Sequence, residues 1–477
     1  MVVIGASVAG LSTALLLARA GHEVVVVDGD DASPGSPEDV VARAFRPGAP
    51  HAVHTHAFLA RGRRVLRERL PDVLELLYQQ GVRDFSLPPP PSLAGQVIEP
   101  DQDLVFLMVR RPLAEWALRA VAAGQRGLEV RSRIKVTGLR MDHSAAVPRV
   151  TGVTLRTGDA LPADLVVDAS GRRSQAVRWL AAPSAVPPTV RSEECGLVYF
   201  SRAYRVQDGV TSLPPLNRGF AAGALLPRFT TLLAPSEHDH VTVSITPLAA
   251  DTEMKAVRTP AVFDAVLRTV AAISPWLDVL EPTSDVYAMG GLQSTLVQTV
   301  RDGAAVVHGL HLVGDACSTT SPTYGRGLSW ALAHAGVLAD AIARDPDDLE
   351  GQARAVDAWI SLEVTPFYLD AVVGDRARVA AMRHAMLDQT ATPPAASEST
   401  SSIEQPPRPT FPQLVSASAA DAYVWHRFAR YQSLLATPQE LYDDPTLRAR
   451  VAALTSSTNA ATQPTGPTNE ELSAILD

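Results

Sequence analysis

The chain has 477 residues and carries 42 Lys and Arg against 51 Asp and Glu, a formal net charge of −9. Hydrophobic residues make up 46% of it, enough to bury a large core, which excludes wholesale disorder, and the acidic balance argues against a nucleic-acid binder with its basic face. Two cysteines, Cys195 and Cys317, are too few for a disulfide framework or a structural zinc site, and a reducing cytoplasm fits them.

At about 150 residues per domain the length suggests roughly two or three domains. Met1 to Ala20 is apolar but lacks a basic leader and continues into a second strand-like run, so it reads as neither a signal peptide nor a membrane span. The strand begins at Val2 with almost nothing before it, which is compatible with a start codon placed slightly late. No other stretch reaches about 18 apolar residues without a charge, and no membrane partner is expected. Residues 1–30 read strand, tight turn, helix, strand, with Leu11, Leu15 and Ala18 on one helical face and Gly21 suited to the C-terminal cap. Arg61 to Gln80 is an amphipathic helix broken at Pro71, and Pro88 to Pro91 is a rigid spacer. A helix over 113–123 is followed by alternating strands from Leu128 to Val167, and the pattern from about 190 to 300 is strand-rich. A further strand then leads into a long helix from about Leu328 to Arg344. Residues 390–412, rich in Pro, Ser, Thr and Glu, read as a linker or loop, with two short helices near 418–435 and 444–455 beyond it.

Three motifs carry chemistry. Gly5-Ala6-Ser7-Val8-Ala9-Gly10 lies between a strand and a helix, where a dinucleotide pyrophosphate loop belongs. The first Gly permits the tight turn and the last lets helix pack on strand, while Ser7 stands where the middle Gly is usual. Asp28 closes the second strand and suits an unphosphorylated ribose, hence NAD or FAD rather than NADP. The second motif, Leu312-Val313-Gly314-Asp315-Ala316, ends a strand before the loop Cys317 to Gly327 and a helix. Such an Asp bonds the ribityl chain in bipartite FAD sites, and a helix N-terminus aimed at the flavin favours its anionic reduced ring. Paired, the two motifs point to FAD. The third, Asp168-Ala169-Ser170-Gly171-Arg172-Arg173-Ser174, ends another strand in a Gly turn.

With these motifs, the chain resembles group A FAD-dependent monooxygenases of the p-hydroxybenzoate hydroxylase-like fold, and more narrowly those of actinobacterial natural-product tailoring. The resemblance runs over nearly the whole chain and includes Arg46-Pro47-Gly48-Ala49-Pro50, His54-Thr55-His56, Arg111 to Trp116, Thr365 to Tyr368 and Asp375 to Arg378. It implies that Gly5, Ser7, Val8, Ala9 and Gly10 form the pyrophosphate loop and Asp28 the ribose acid. Arg46 and Arg111 would reach the FAD phosphates or ribose, and the segment holding His56 would lie along the flavin. Gly314 and Asp315 would serve the ribityl chain, and Pro322, Gly325, Gly327 and Leu328 the isoalloxazine. Two positions depart from the family: Ser170 stands where its DG motif has Asp, and Ser321 where the flavin loop usually has Asn.

The implied fold is α/β: a three-layer, glutathione-reductase-type Rossmann-like FAD domain (1–85, 105–180 and 300–345) interleaved with a mixed-sheet substrate domain (86–104 and 181–299). A helical extension (346–390), a linker (391–412) and a C-terminal helical segment (413–477) complete it. The implied reaction is monooxygenation, with NAD(P)H as transient reductant and O2 activated as a C4a-hydroperoxyflavin. The substrate would be a small, largely apolar natural-product intermediate, hydroxylated or epoxidised. A C=C reductase of the same superfamily, a non-redox cyclase retaining FAD and a flavin-binding protein without catalysis are the rival readings. The resemblance leaves room for a homodimer. Strand alternation places Arg202 and Tyr204 on one face, and these are the pocket candidates above the flavin. His54 and His56 have metal-ligand spacing but no third ligand nearby, so no metal is expected. No Trp-x-Trp pair occurs and no Lys precedes Lys135, so the motif and lysine of flavin halogenases are absent.

Overall fold

Valine-rich segments that are apolar on both faces need cover on both sides, and here they form the middle layer of a three-layer unit. In the computed structural model, which describes residues 1–31, 35–42, 48–98, 100–181, 186–387, 408–457 and 466–477, this layer is a five-stranded sheet. Its order is Leu310–Leu312, Val166–Asp168, Val2–Ile4, Val24–Val27, Leu128–Arg131, and every pairing is parallel. The helix Val8–Arg19 follows the first strand and is buried on nearly all sides, as its Leu- and Ala-rich sequence requires. It packs against the helices Arg111–Gly124 and Gly327–Arg344. The opposite layer is the antiparallel sheet of Val136–Asp142, Arg149–Leu155 and Ala160–Pro162, whose Val150 and Val153 join the same core.

A second sheet runs in the order Ala222–Leu225, Phe229–Pro235, His240–Pro247, Tyr199–Val206, Leu280–Pro282, with Tyr287–Met289 also pairing to Tyr199–Val206. One face carries Phe200, Tyr204, Leu233, Val243 and Ile245 onto Phe263, Val266 and Leu267 of the helix Pro260–Arg268 and onto Trp276. The other face is left for the cavity described below.

After Arg344 the chain forms the helix Leu349–Trp359, a π-turn over Ile360–Val364 and the helix Thr365–Met386. Pro366 cannot donate a bond back to Leu362, and the widened turn absorbs that loss. Helices Phe411–Ser418, Ala422–Gln432, Pro438–Tyr442, Pro445–Ser457 and Asn469–Leu476 follow. The sequence pattern showed two of these five. Capping boxes at Thr410/Gln413, Thr437/Glu440 and Thr468/Glu471 start three of them, a signal shorter than the apolar periodicity. Most of the expected linker 391–412 lies outside the described residues. No helix among the described residues is long and apolar enough to cross a membrane.

Candidate functional site

The glycine loop is built by close backbone approach. Gly5 sits at φ +105, and a Cβ there would lie 2.6 Å from the Ala169 carbonyl oxygen; one at Gly10 would lie 1.9 Å from the Gly5 oxygen. Ser7, at the N-terminal cap of the helix Val8–Arg19, makes no capping bond. Its Oγ donates to Glu115 (2.6 Å) and accepts from the Arg111 guanidinium (2.8 Å). The first turn holds no acid, so its N–H groups and the positive end of the dipole are left for an anionic ligand. Asp28 accepts from the amides of Ala6 (2.6 Å) and Asp30 (2.7 Å), which fixes its carboxylate at the strand end.

The second motif meets the first directly. Gly314 sits at φ +63, and a Cβ there would be 2.8 Å from the Ala9 Cβ. Asp315 follows, and burial pushes its carboxyl up against the opposing pull of Arg111 and Arg172. The helix Gly327–Arg344 has neither a side-chain cap nor an acid in its first turn. Two bare helix N-termini therefore face one cavity of about 3040 Å³. That exceeds the roughly 300–1,000 Å³ of an ordinary ligand site and leaves room for a dinucleotide and a second molecule.

Of the expected cofactor residues, Gly5, Ser7, Val8, Ala9, Asp28, His56, Arg111, Asp315, Pro322, Gly325, Gly327 and Leu328 line this cavity. Gly10 and Gly314 belong to the same two turns without lining it. Arg46 lies outside the described residues. Arg111 also bonds Glu115 (2.9 Å) and contacts His51, so its guanidinium is held ready over the loop.

The pocket candidates Arg202 and Tyr204 are corrected by the structure. Both bond Asp264 of the helix Pro260–Arg268 (2.7 and 2.5 Å), and Arg202 also donates to the Ser284 carbonyl (3.0 Å). Alternation was right that they share a face, but that face is the packed one. Phe200 and Val206 fall in the same even-numbered set and mark it as core. The cavity instead receives Tyr199 and Ser201. Tyr199 Oη lies 2.5 Å from Thr323 Oγ1 in the loop before Gly325, and burial pushes its phenol up to about 12.

His54 and His56 also belong here. His54 Nδ1 lies 2.8 Å from Ser201 Oγ, and His56 Nδ1 donates to the His54 carbonyl (2.8 Å). Burial brings the two imidazoles down to about 4 and 3, so both are neutral near pH 7. No cluster able to hold a metal ion occurs among the described residues.

The helix Thr365–Met386 supplies groups whose role the sequence did not reveal. Arg378 lines the cavity and bonds Asp375 (2.8 Å), whose carboxyl burial raises to about 6. Arg326, buried between Gly325 and Gly327, donates to the Phe367 carbonyl (3.2 Å) and Tyr431 Oη (3.0 Å). It thereby fastens that loop to the C-terminal helices.

Residues 107–355, just over half of the chain, match the family model described as FAD binding domain. Over 409 residues the chain is 25% identical to Protein Rv3254 of Mycobacterium tuberculosis (strain ATCC 25618 / H37Rv), covering 78% of this chain and 79% of that one. Among solved structures it is similar to the flavin-dependent brominase Bmp2, with TM-score 0.60 and 17% identity over 95% of this chain and 98% of that one. It is also similar to pqsL, a probable FAD-dependent monooxygenase from Pseudomonas aeruginosa, with TM-score 0.55 and 17% identity over 80% and 95%.

Proposed function

The chain belongs to the FAD-binding domain family, with the p-hydroxybenzoate hydroxylase-like fold of FAD-dependent oxidoreductases, and from that premise we propose that it is an NAD(P)H-dependent monooxygenase. The observation that carries the reading is the pair of bare helix N-termini, one beside Asp28 and one beside Asp315, facing a single cavity. In this reading Gly5, Ser7, Arg111 and the first turn of Val8–Arg19 hold the pyrophosphate. Asp28 and Asp315 hold the two sugar-like chains, and Pro322 to Leu328 border the flavin ring. When bound, FAD supplies hydride acceptance from NAD(P)H and activation of O2 for insertion of one oxygen atom.

The overall balance is R–H + O2 + NAD(P)H + H⁺ → R–OH + H2O + NAD(P)⁺, or epoxide formation when R carries a C=C bond. The chain's own residues bind, orient and keep the site dry. The N-terminus of Gly327–Arg344 favours negative charge at the ring edge. Arg326 and Tyr431 draw the C-terminal helices over the loop and exclude water. Neutral His54 is held through Nδ1 against Ser201 Oγ, which fixes the ring in the cavity wall. Halogenation is disfavoured because the chain has no Trp-x-Trp pair and its first lysine is Lys135. The test is oxygen consumption by the FAD-loaded protein with NADPH or NADH across a panel of phenols, indoles and polyenes. Product carrying one atom from ¹⁸O2 supports the reading, whereas a saturated product formed without oxygen would make the enzyme a reductase.

A further inference from the structure

Across the cavity from the dinucleotide motifs, the loop Leu216-Asn217-Arg218-Gly219-Phe220 forms part of the wall. It is a built element rather than a loose turn. Asn217 Nδ2 donates to the Gly223 carbonyl (3.0 Å) and its Oδ1 accepts from the Gly223 amide (2.9 Å), while the Arg218 amide donates to the Ala221 carbonyl (2.9 Å). Gly219 holds φ +76, where a Cβ would meet the Pro88 ring at 2.9 Å, and Phe220 stacks on Phe106 with ring centroids 5.1 Å apart.

In this rigid, apolar setting the Arg218 side chain bonds no carboxylate or carbonyl among the described residues. Three other arginines of the protein are paired with acids: Arg110 with Glu237, Arg228 with Asp251 and Glu253, Arg378 with Asp375. Arg218 is an exposed residue of the cavity wall, so its guanidinium is open to a ligand there, and the protein packed around it still lowers it from the ordinary value with no acid opposing. A cation left so is a receptor for an anion.

The sheet register gives the length of the wall between Gly223, to which Asn217 ties this loop, and His54. Gly223, Leu232, Ser244 and Ser201 form one row across four adjacent strands, and Ser201 ends it against His54. Three strand spacings make that row roughly 14 Å long. Leu216, Phe220, Phe106 and Leu232 line the space between.

We infer that Arg218 binds the terminal anion, a carboxylate or phosphate, of an elongated apolar substrate whose other end reaches the His54–Ser201 pair. The inference rests on reading this cavity as the substrate site of the proposed enzyme. Its test needs no turnover. Dodecanoate, dodecyl phosphate and dodecanol are titrated into FAD-loaded protein, following the flavin absorbance and the melting temperature.

At least one anion should bind about tenfold or more tightly than dodecanol, and the better of the two identifies the group. Arg218→Met should remove that preference while leaving dodecanol affinity and the flavin spectrum unchanged; Arg218→Lys should keep part of it and guards against a folding defect. Equal affinity for the three ligands would overturn the inference. So would an Arg218→Met effect confined to the KM for NAD(P)H, because the anion held would then be the reductant's phosphate. Failure of the monooxygenase reading would show separately, in oxygen chemistry, with these affinities intact.

Discussion

His54 Nδ1 lies 2.8 Å from Ser201 Oγ, and this hydrogen bond joins the loop beside the nucleotide motifs to the sheet that roofs the cavity. Both residues are buried, so the bond sets where the two parts of the site stand relative to each other. Ser201→Ala leaves a buried ring nitrogen without its partner, a loss of about 1–3 kcal/mol. A lower midpoint in urea, with FAD still bound, is the expected result; an unchanged midpoint would mean that water replaces the hydroxyl without loss.

Protonation gives a second prediction. Burial holds His54, His56, His311 and His334 near 4, 3, 4 and 3, against 6.5 for an unperturbed imidazole. The unfolded chain takes up protons at these rings below about pH 6.5 while the native state does not, so stability falls from there toward pH 4. Asp375 acts in the opposite sense. Raised from 3.8 to about 6, its native carboxyl keeps a proton that the unfolded chain has lost, which stabilises the fold on the acid side. The four imidazoles outweigh it, so urea midpoints should drop between pH 6.5 and 4, and Asp375→Asn should steepen the drop. A midpoint independent of pH over that range would contradict the assignment.

Gly10→Ala should abolish FAD retention on gel filtration, because its Cβ has no space beside the Gly5 carbonyl. Arg111→Ala removes the donor to Ser7 but leaves Glu115 its contact with Arg119, so the fold should persist. Its expected effect is a rise of about tenfold or more in the FAD Kd, consistent with loss of one charge-assisted bond. An Arg111→Ala protein that retains FAD like the wild type would remove Arg111 from the phosphate site.

Tyr204→Phe and Arg202→Ala test the face assignment. Tyr204→Phe loses a buried bond to Asp264 and should cost about 1–2 kcal/mol of stability. Arg202→Ala, facing a partly exposed Asp264, should cost about 1 kcal/mol or less. Neither should shift FAD affinity or substrate KM more than about twofold, as both lie behind the sheet. A selective change in KM would return them to the pocket.

That correction shows where sequence reading stops. Gly5 to Gly10, Asp28 and Gly314 to Asp315 were readable because each motif is local: a strand end, a turn and a helix start within a dozen residues. The Rossmann-like layer was implied by the resemblance these motifs carry, and its parallel strands are apolar enough to need cover on both faces. Period two put Arg202 with Tyr204, but which face of their strand meets the cavity depends on where the helix Pro260–Arg268 packs, some 60 residues on. Asp375, Arg378 and Arg326 met the site through contacts with residues over 40 positions away or through one helix face, and no local pattern encodes that.

The most direct test of the monooxygenase reading is stopped-flow absorbance of the FAD-loaded protein, reduced anaerobically with NADPH or NADH and mixed with oxygenated buffer in the presence of a ligand that binds the cavity. The account predicts reoxidation in two phases, with a transient spectrum distinct from both reduced and oxidised flavin. Single-phase return to the oxidised spectrum, with every electron recovered as free hydrogen peroxide, would contradict it.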